Sequence, residues 1–240
     1  MRRHPDNKLP LPSQQLTLQQ FSQRQPSLQQ KGAALIVLLV VLILGSAYLL
    51  VGRLNVVAPV LKQNNTTSER LNTIRAALLG YAVVHGRLPC PDISGDGHED
   101  TPCTSTDGVV PWLDLGVQYQ DAWGHAFRYR ANNNFTLTPP VTNTTSGNLR
   151  VTDLAGTVLT STDPAAPAAI IYSCGADGIP NDENDVNGVT NTNATCDNPG
   201  TGDTALYVQD VMQSNFDDVL VWLTKAQLQA RMTAAGNWPP

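Results

Sequence analysis

The chain has 240 residues, with 15 Lys and Arg against 20 Asp and Glu, a formal net charge of -5 and four cysteines. The charge is uneven: beyond Val51 lie ten of the basic and nineteen of the acidic residues, so that part alone carries -9. Such an acidic region does not suit nonspecific nucleic-acid binding, which draws its affinity from Lys and Arg on phosphates, so nucleic acid is not an expected partner.

Residues 1–32 come first. The stretch LPSQQLTLQQFSQRQPSLQQK is Gln-rich and holds few apolar residues, and Pro10, just before it, with Pro12 and Pro26 makes three prolines, so a disordered leader is expected. Ala33 to Val51 is then a run of nineteen uncharged residues. At about 1.5 Å per residue it reaches roughly 28 Å, enough for a bilayer core of about 30 Å, whereas a signal-peptide apolar region has only about 7 to 15 residues. Gly52-Arg53-Leu54-Asn55 offers no small-x-small cleavage site behind it. Arg2, Arg3, Lys8, Arg24 and Lys31 precede the run and only Asp6 opposes them. The positive-inside rule therefore keeps the N-terminus in the cytoplasm and exports everything after the run.

Helical spacing continues past the membrane. Leu54, Val57 and Leu61 lie three and four apart, as do Leu71, Ile74, Leu78 and Tyr81. One helix from Ala33 to about His85 is expected, kinked at Pro59 and stopped by Gly86 with Pro89 and Pro91 behind it. The divisions are then 1–32 leader, 33–52 membrane helix, 53–86 soluble extension and 87–240 globular domain.

In that domain Asp121-Ala122-Trp123-Gly124 reads as a turn whose Trp can bury against the helix. AFRYR alternates as a strand, with Phe127 and Tyr129 on one face and Arg128 and Arg130 on the other. LRVTDLAGTVLT reads as a hairpin around Ala155-Gly156, and AAIIYSC as a buried strand. Val219 to Leu223 leads into Thr224-x-x-Gln227, a capping box for a helix that carries Leu228 and Met232 and stops at Gly236.

All four cysteines lie in the exported part, in loop-like stretches. An even count in an oxidising compartment reads as disulfides. Of three connectivities the sequential one, Cys90–Cys103 and Cys174–Cys196, is favoured, because short loops close easily and each pair brackets an acidic loop. A zinc site is the rival, but no C-x-x-C or H-x-H spacing supports it. The first acidic loop has Asp92, Ser94 and Asp96 at alternate positions before Gly97, like the first half of an EF-hand; its twelfth position is Cys103 instead of Glu.

Lys31-Gly32 followed by Ala33-Ala34-Leu35-Ile36, with a helix that leaves the membrane carrying an exported domain, resembles the type IV pilins and type II secretion pseudopilins. The order LPCPDISGDGHED, DAWGHAFRYR, YSCGADGIPNDEND is similar to the major pseudopilin type of domain, with Ala122 where that type has Pro. The resemblance implies an α+β pilin-like fold: a long N-terminal membrane-spanning helix packed on a small antiparallel sheet, with disulfide-stapled loops. It implies cleavage between Gly32 and Ala33 by a prepilin peptidase and methylation of the new amine. It also implies single-pass residence in the bacterial inner membrane, with a cytoplasmic N-terminus and a periplasmic domain. Assembly then follows through the N-terminal helix with other pilin or pseudopilin subunits, into a filament or onto the cell surface.

Ala33 stands where that family usually has Phe, and Val37 where its Glu meets the amine of the subunit ahead. Such a departure points to a minor subunit. The resemblance further implies a structural calcium ion at a second acidic loop, held by Asp177, Asn181, Asp182, Glu183 and Asp185, with Asp217 or Asp218 approaching from the C-terminal strand.

No G-x-S-x-G, H-E-x-x-H or phosphate-cradling loop occurs, and His85, His98 and His125 read as surface or cap residues, so no enzyme is expected. The alternatives are a membrane-anchored binding or adhesion domain using the Asn and Thr-rich stretches, and, more distantly, a tethered hydrolase.

Overall fold

The structure is a computed structural model of the chain. It describes residues 29–137, 142, 144–160, 166–181, 184, 196, 205–213 and 215–237, with the backbone alone at 29–31 and 50–58. The expected leader up to residue 28 lies outside the described residues. Helix α1 runs from Gln29 to His85, four residues earlier than the sequence spacing predicts, and continues through Pro59. The chain divides into two units, Met1–Leu54 and Asn55–Pro240.

In the first unit Gly32–Leu49 has a mean hydropathy of 2.6 and none of it is buried, which makes it long and apolar enough to cross a membrane. A helix apolar on all sides has no stable place in water, and needs lipid or other apolar surfaces around it.

In the second unit the remaining half of α1 is amphipathic. Leu71, Ile74, Leu78 and Ala82 are fully buried while Asn72, Thr73 and Ala76 are exposed. Gly86 stops the helix in a left-handed conformation (φ 74°), donating its N–H back to Ala82 O at 2.9 Å.

The buried stripe packs on a four-stranded antiparallel sheet. Its strands are β1 (Asp107–Val109), β2 (Arg128–Ala131), β4 (Pro167–Ser173) and β6 (Val219–Thr224), in that order across the sheet. A short helix α2 (Trp112–Leu115) follows β1. Phe127, Tyr129, Ala131, Ala169, Ile171 and Leu223 form the face towards α1. Helix α3 (Lys225–Ala234) adds Leu228 and Met232 to the same core, and its Thr224–Gln227 capping box is complete, each side chain bonding the other's backbone N–H.

The opposite face of the sheet is also covered, which the alternation in AFRYR does not reveal. Strand β3 (Arg150–Thr152) pairs in parallel with β5 (Leu206–Val208). Leu149, Val151 and Tyr207 of this ladder pack with Ile170, Tyr172 and Leu220 of the large sheet and with Cys174 and Cys196. Arg128 and Arg130 therefore point away from α1, as the period of two requires, yet are only 4 % and 6 % exposed. Arg128 is paired there with Asp107, whose other oxygen accepts from Tyr207 Oη at 3.4 Å. A buried charge of this kind persists only with such partners.

The turn at Asp153–Gly156 is formed, but its returning limb makes no strand with β3: it meets it through one bridge, Thr152 to Val158, and through Thr160 Oγ1, which accepts from Val151 N at 3.0 Å. The long-range partner of β3 is β5. The disulfides are Cys90–Cys103 and Cys174–Cys196, with Cα separations of 5.2 and 5.8 Å.

Candidate functional site

Gly32 and Ala33 lie on an exposed stretch of α1, and a Cβ added at Gly32 meets nothing within 4 Å. Val37 is 61 % exposed on the same helix.

The first acidic loop closes on itself. Asp92 is fully buried, its Oδ1 accepting from Gly95 N (2.6 Å) and Ser94 Oγ (3.2 Å) and its Oδ2 from Gly97 N (2.8 Å). Asp96 accepts from His98 N, and Asp100 from the amides of Ile93 and Ser94. Asp92, Ser94 and Asp96 are thus brought into one loop, but both oxygens of Asp92 are engaged by backbone amides. Gly97 is needed because α2 crosses directly over it: a Cβ there would stand 2.7 Å from Leu113 and Trp112 side-chain atoms.

This loop is tied to α1 by Glu99, a residue the sequence does not single out. Its carboxylate accepts from Arg87 Nη1 (2.7 Å) and Nη2 (2.9 Å), from Tyr81 Oη (2.5 Å) and from Cys90 N (2.9 Å). Burial pushes the carboxyl pKa up, but the bonds from Arg87, Tyr81 and the Cys90 amide outweigh it and hold the group down at about 2. The Tyr81 hydroxyl is raised by its own burial and by Glu99.

The Asp121 turn is a second anchor. Asp121 Oδ1 accepts from the N–H groups of Trp123, Gly124 and His125, each at 2.9 Å, and Oδ2 accepts from Ser173 Oγ at 2.5 Å on β4. Arg70 and Thr67 of α1 bond the turn's backbone from the other side. Trp123 is half-buried beside the helix.

The second acidic loop is described in part; Asp182, Glu183 and Asp185 lie outside the described residues. Asp177, Asn181, Asp217 and Asp218 are brought together. Asp217 Oδ2 accepts from Ala176 N (2.6 Å) and Asp177 N (3.3 Å), and Asn181 Oδ1 accepts from Asp217 N (2.9 Å). The close approach needs Gly175 (φ 63°), where a Cβ would lie 2.4 Å from Asp217.

Asp218 is 3 % exposed; its Oδ2 accepts from Asn181 N and Asn184 Nδ2, while Oδ1 is buried with no hydrogen-bond partner among the described residues. Burial raises both Asp218 and Asp217, their backbone bonds offset part of that, and Asp177 raises both further. A buried carboxylate oxygen without a donor, next to two more carboxylates, is the kind of deficit that a divalent cation removes. Among the described residues alone, no group of three or more His, Cys, Asp or Glu converges as a metal site.

Asn184 is the other residue that sequence reasoning missed. Fully buried, it bonds Asp218 and also both the N–H (2.8 Å) and the C=O (2.9 Å) of Val208 in β5.

The histidines are placed separately. His85 stacks on Tyr81 at 4.0 Å between centroids, His98 pairs with Asp114 at 2.7 Å, and the His125 ring lies against Gly178. Among the described residues no cysteine is free. Comparison of the chain with protein-family models, curated proteins and solved structures returns no match.

Proposed function

We propose that the chain is a minor pilin or pseudopilin subunit of a type IV pilus or type II secretion filament, cut by a prepilin peptidase between Gly32 and Ala33 and methylated on the new amine. One observation carries the reading: a single helix, Gln29–His85, has an uncovered apolar half and a half whose Leu71, Ile74, Leu78 and Ala82 form the core of an α+β unit with two disulfides. The first half then lies in the inner membrane before assembly and among the same helices of neighbouring subunits afterwards, and the folded unit lies in the periplasm. A signal sequence discarded after export has no reason to continue unbroken into a buried helix. Val37 supplies no carboxylate for a neighbour's amine, which supports a minor rather than a bulk subunit.

On this reading calcium is structural. Asp177, Asn181, Asp217 and Asp218 would hold it, with Asp182, Glu183 and Asp185, which lie outside the described residues, completing the set, and its charge would relieve the Asp218 oxygen that has no partner among the described residues.

The test is the mass of the mature chain isolated from cells that carry a prepilin peptidase. An N-methylated chain beginning at Ala33 is expected. A chain that begins at Met1, or is cut beyond residue 50, overturns the proposal.

A further inference from the structure

The Asn-rich segment after β2 folds so that its two ends face each other. Asn132 to Asn134 leave the end of β2, Ser146 to Asn148 return towards β3, and with Thr106 and Arg130 they line a cleft of about 370 Å³. Arg130 and Asn132 are 6 % and 7 % exposed, so the floor is fixed, while Asn133, Asn134, Ser146 and Asn148 stand open at the rim.

Three bonds decide which way the amides turn. Asn132 Oδ1 accepts from Asn134 N (3.1 Å), so Asn132 Nδ2 is the donor to Asn148 Oδ1 (2.7 Å). Asn134 Nδ2 donates to the Ser146 carbonyl (2.9 Å). A backbone N–H only donates and a carbonyl only accepts, so these partners fix the side-chain oxygens and nitrogens. Among the described residues, Asn134 Oδ1 as acceptor and Asn148 Nδ2 as donor face the cleft, with the Asn133 amide and the Ser146 hydroxyl able to do both.

None of the nine described lining residues is acidic, aromatic or a branched aliphatic. A cation would find no carboxylate, and an apolar ligand or a nucleobase would find no apolar wall or stacking ring. An inorganic anion would find the Arg130 charge in the floor and amide donors at the rim, but also the Asn134 side-chain oxygen facing it. A ligand whose every hydroxyl both donates and accepts meets the whole pattern. We propose that this cleft binds a saccharide unit; the volume lies within the range of roughly 300 to 1,000 Å³ usual for small-ligand sites. The proposal rests on the cleft alone and is independent of the filament reading.

The experiment is saturation-transfer NMR on the full chain in detergent micelles, with glucose and N-acetylglucosamine each at about 10 mM, a concentration that detects millimolar binding. Ser146→Phe fills the cleft while keeping the backbone carbonyl that orients Asn134, and Asn133→Ala removes one rim amide with no bond to the core. The expected result is transfer to the ring protons of at least one sugar, falling about fivefold or more in Ser146→Phe and also falling in Asn133→Ala, at parent-like unfolding midpoints. Silence from both sugars, equal signals from parent and Asn133→Ala, or loss of the sugar signal on adding the same concentration of inorganic phosphate overturns the proposal.

Discussion

Replacing Glu99 by Gln removes one negative charge from the junction where Arg87, Tyr81 and the Cys90 amide converge. The folded carboxyl sits at about 2 against an ordinary value of 4.5, and the Arg87 and Glu99 side chains are only 15 % and 16 % exposed. Solvent screening therefore takes little from the interaction, and the lowered pKa corresponds to about 3 kcal/mol of folding stability. Because the folded value is depressed, this stability is fully present above 4.5 and is lost as the pH falls through 2. Urea unfolding of the full chain in detergent, followed by tryptophan fluorescence, should place Glu99→Gln about 2 to 3 kcal/mol below the parent near neutral pH. The gap should close as the medium is taken from pH 4.5 towards 2. A gap that stays constant across that range would refute the argument, since only an ionised Glu99 can produce the pH dependence.

Three more outcomes follow from the same geometry. Leu78→Ala empties a fully buried site between α1 and the sheet, and its urea midpoint should fall by the equivalent of about 2 to 5 kcal/mol. Asp121→Ala takes the side-chain acceptor from three backbone N–H groups, of which only Gly124 keeps a bond to the backbone carbonyl of residue 121, and from the Ser173 hydroxyl, a loss of about 2 to 3 kcal/mol in the same titration, and hydrogen exchange should quicken at residues 123 and 125. Calcium at about a hundred times its dissociation constant should raise stability by about 2.7 kcal/mol, seen as a higher melting temperature. That rise should be absent in Asp218→Asn, and a parent that melts identically with calcium and with chelator would end the calcium proposal.

The elements legible in the sequence are those built from neighbours along the chain. The buried half of α1 shows in the spacing of Leu71, Ile74 and Leu78, and α3 in the four-residue Thr224–Gln227 box, because both signals repeat within a turn or two of helix. The apolar run of β4 is equally plain, since a central strand buried on both faces is almost entirely apolar. Strands β1 and β5 were not legible: each has three residues, and each exists because of a partner far away in sequence. For the same reason the alternation of AFRYR shows which way Arg128 and Arg130 point but not that β3 and β5 cover them. The acidic loops were visible as compositions, yet their bonding was not. Asp92 turned inward onto amides, and Glu99, spaced with nothing recognisable, became the tie to α1.

The two bonds from Asn184 to Val208 also bear on how the chain meets other chains. A strand that ends a small ladder offers its outward N–H and C=O as a template for any other extended chain, and proteins protect such edges. Strand β5 meets β3 on one side, and on the other a single buried amide occupies both groups of Val208 in place of a neighbouring strand. That position cannot nucleate strand addition from another molecule while Asn184 is in place. One side chain thus satisfies both backbone groups of Val208, which a further strand would otherwise have to pair.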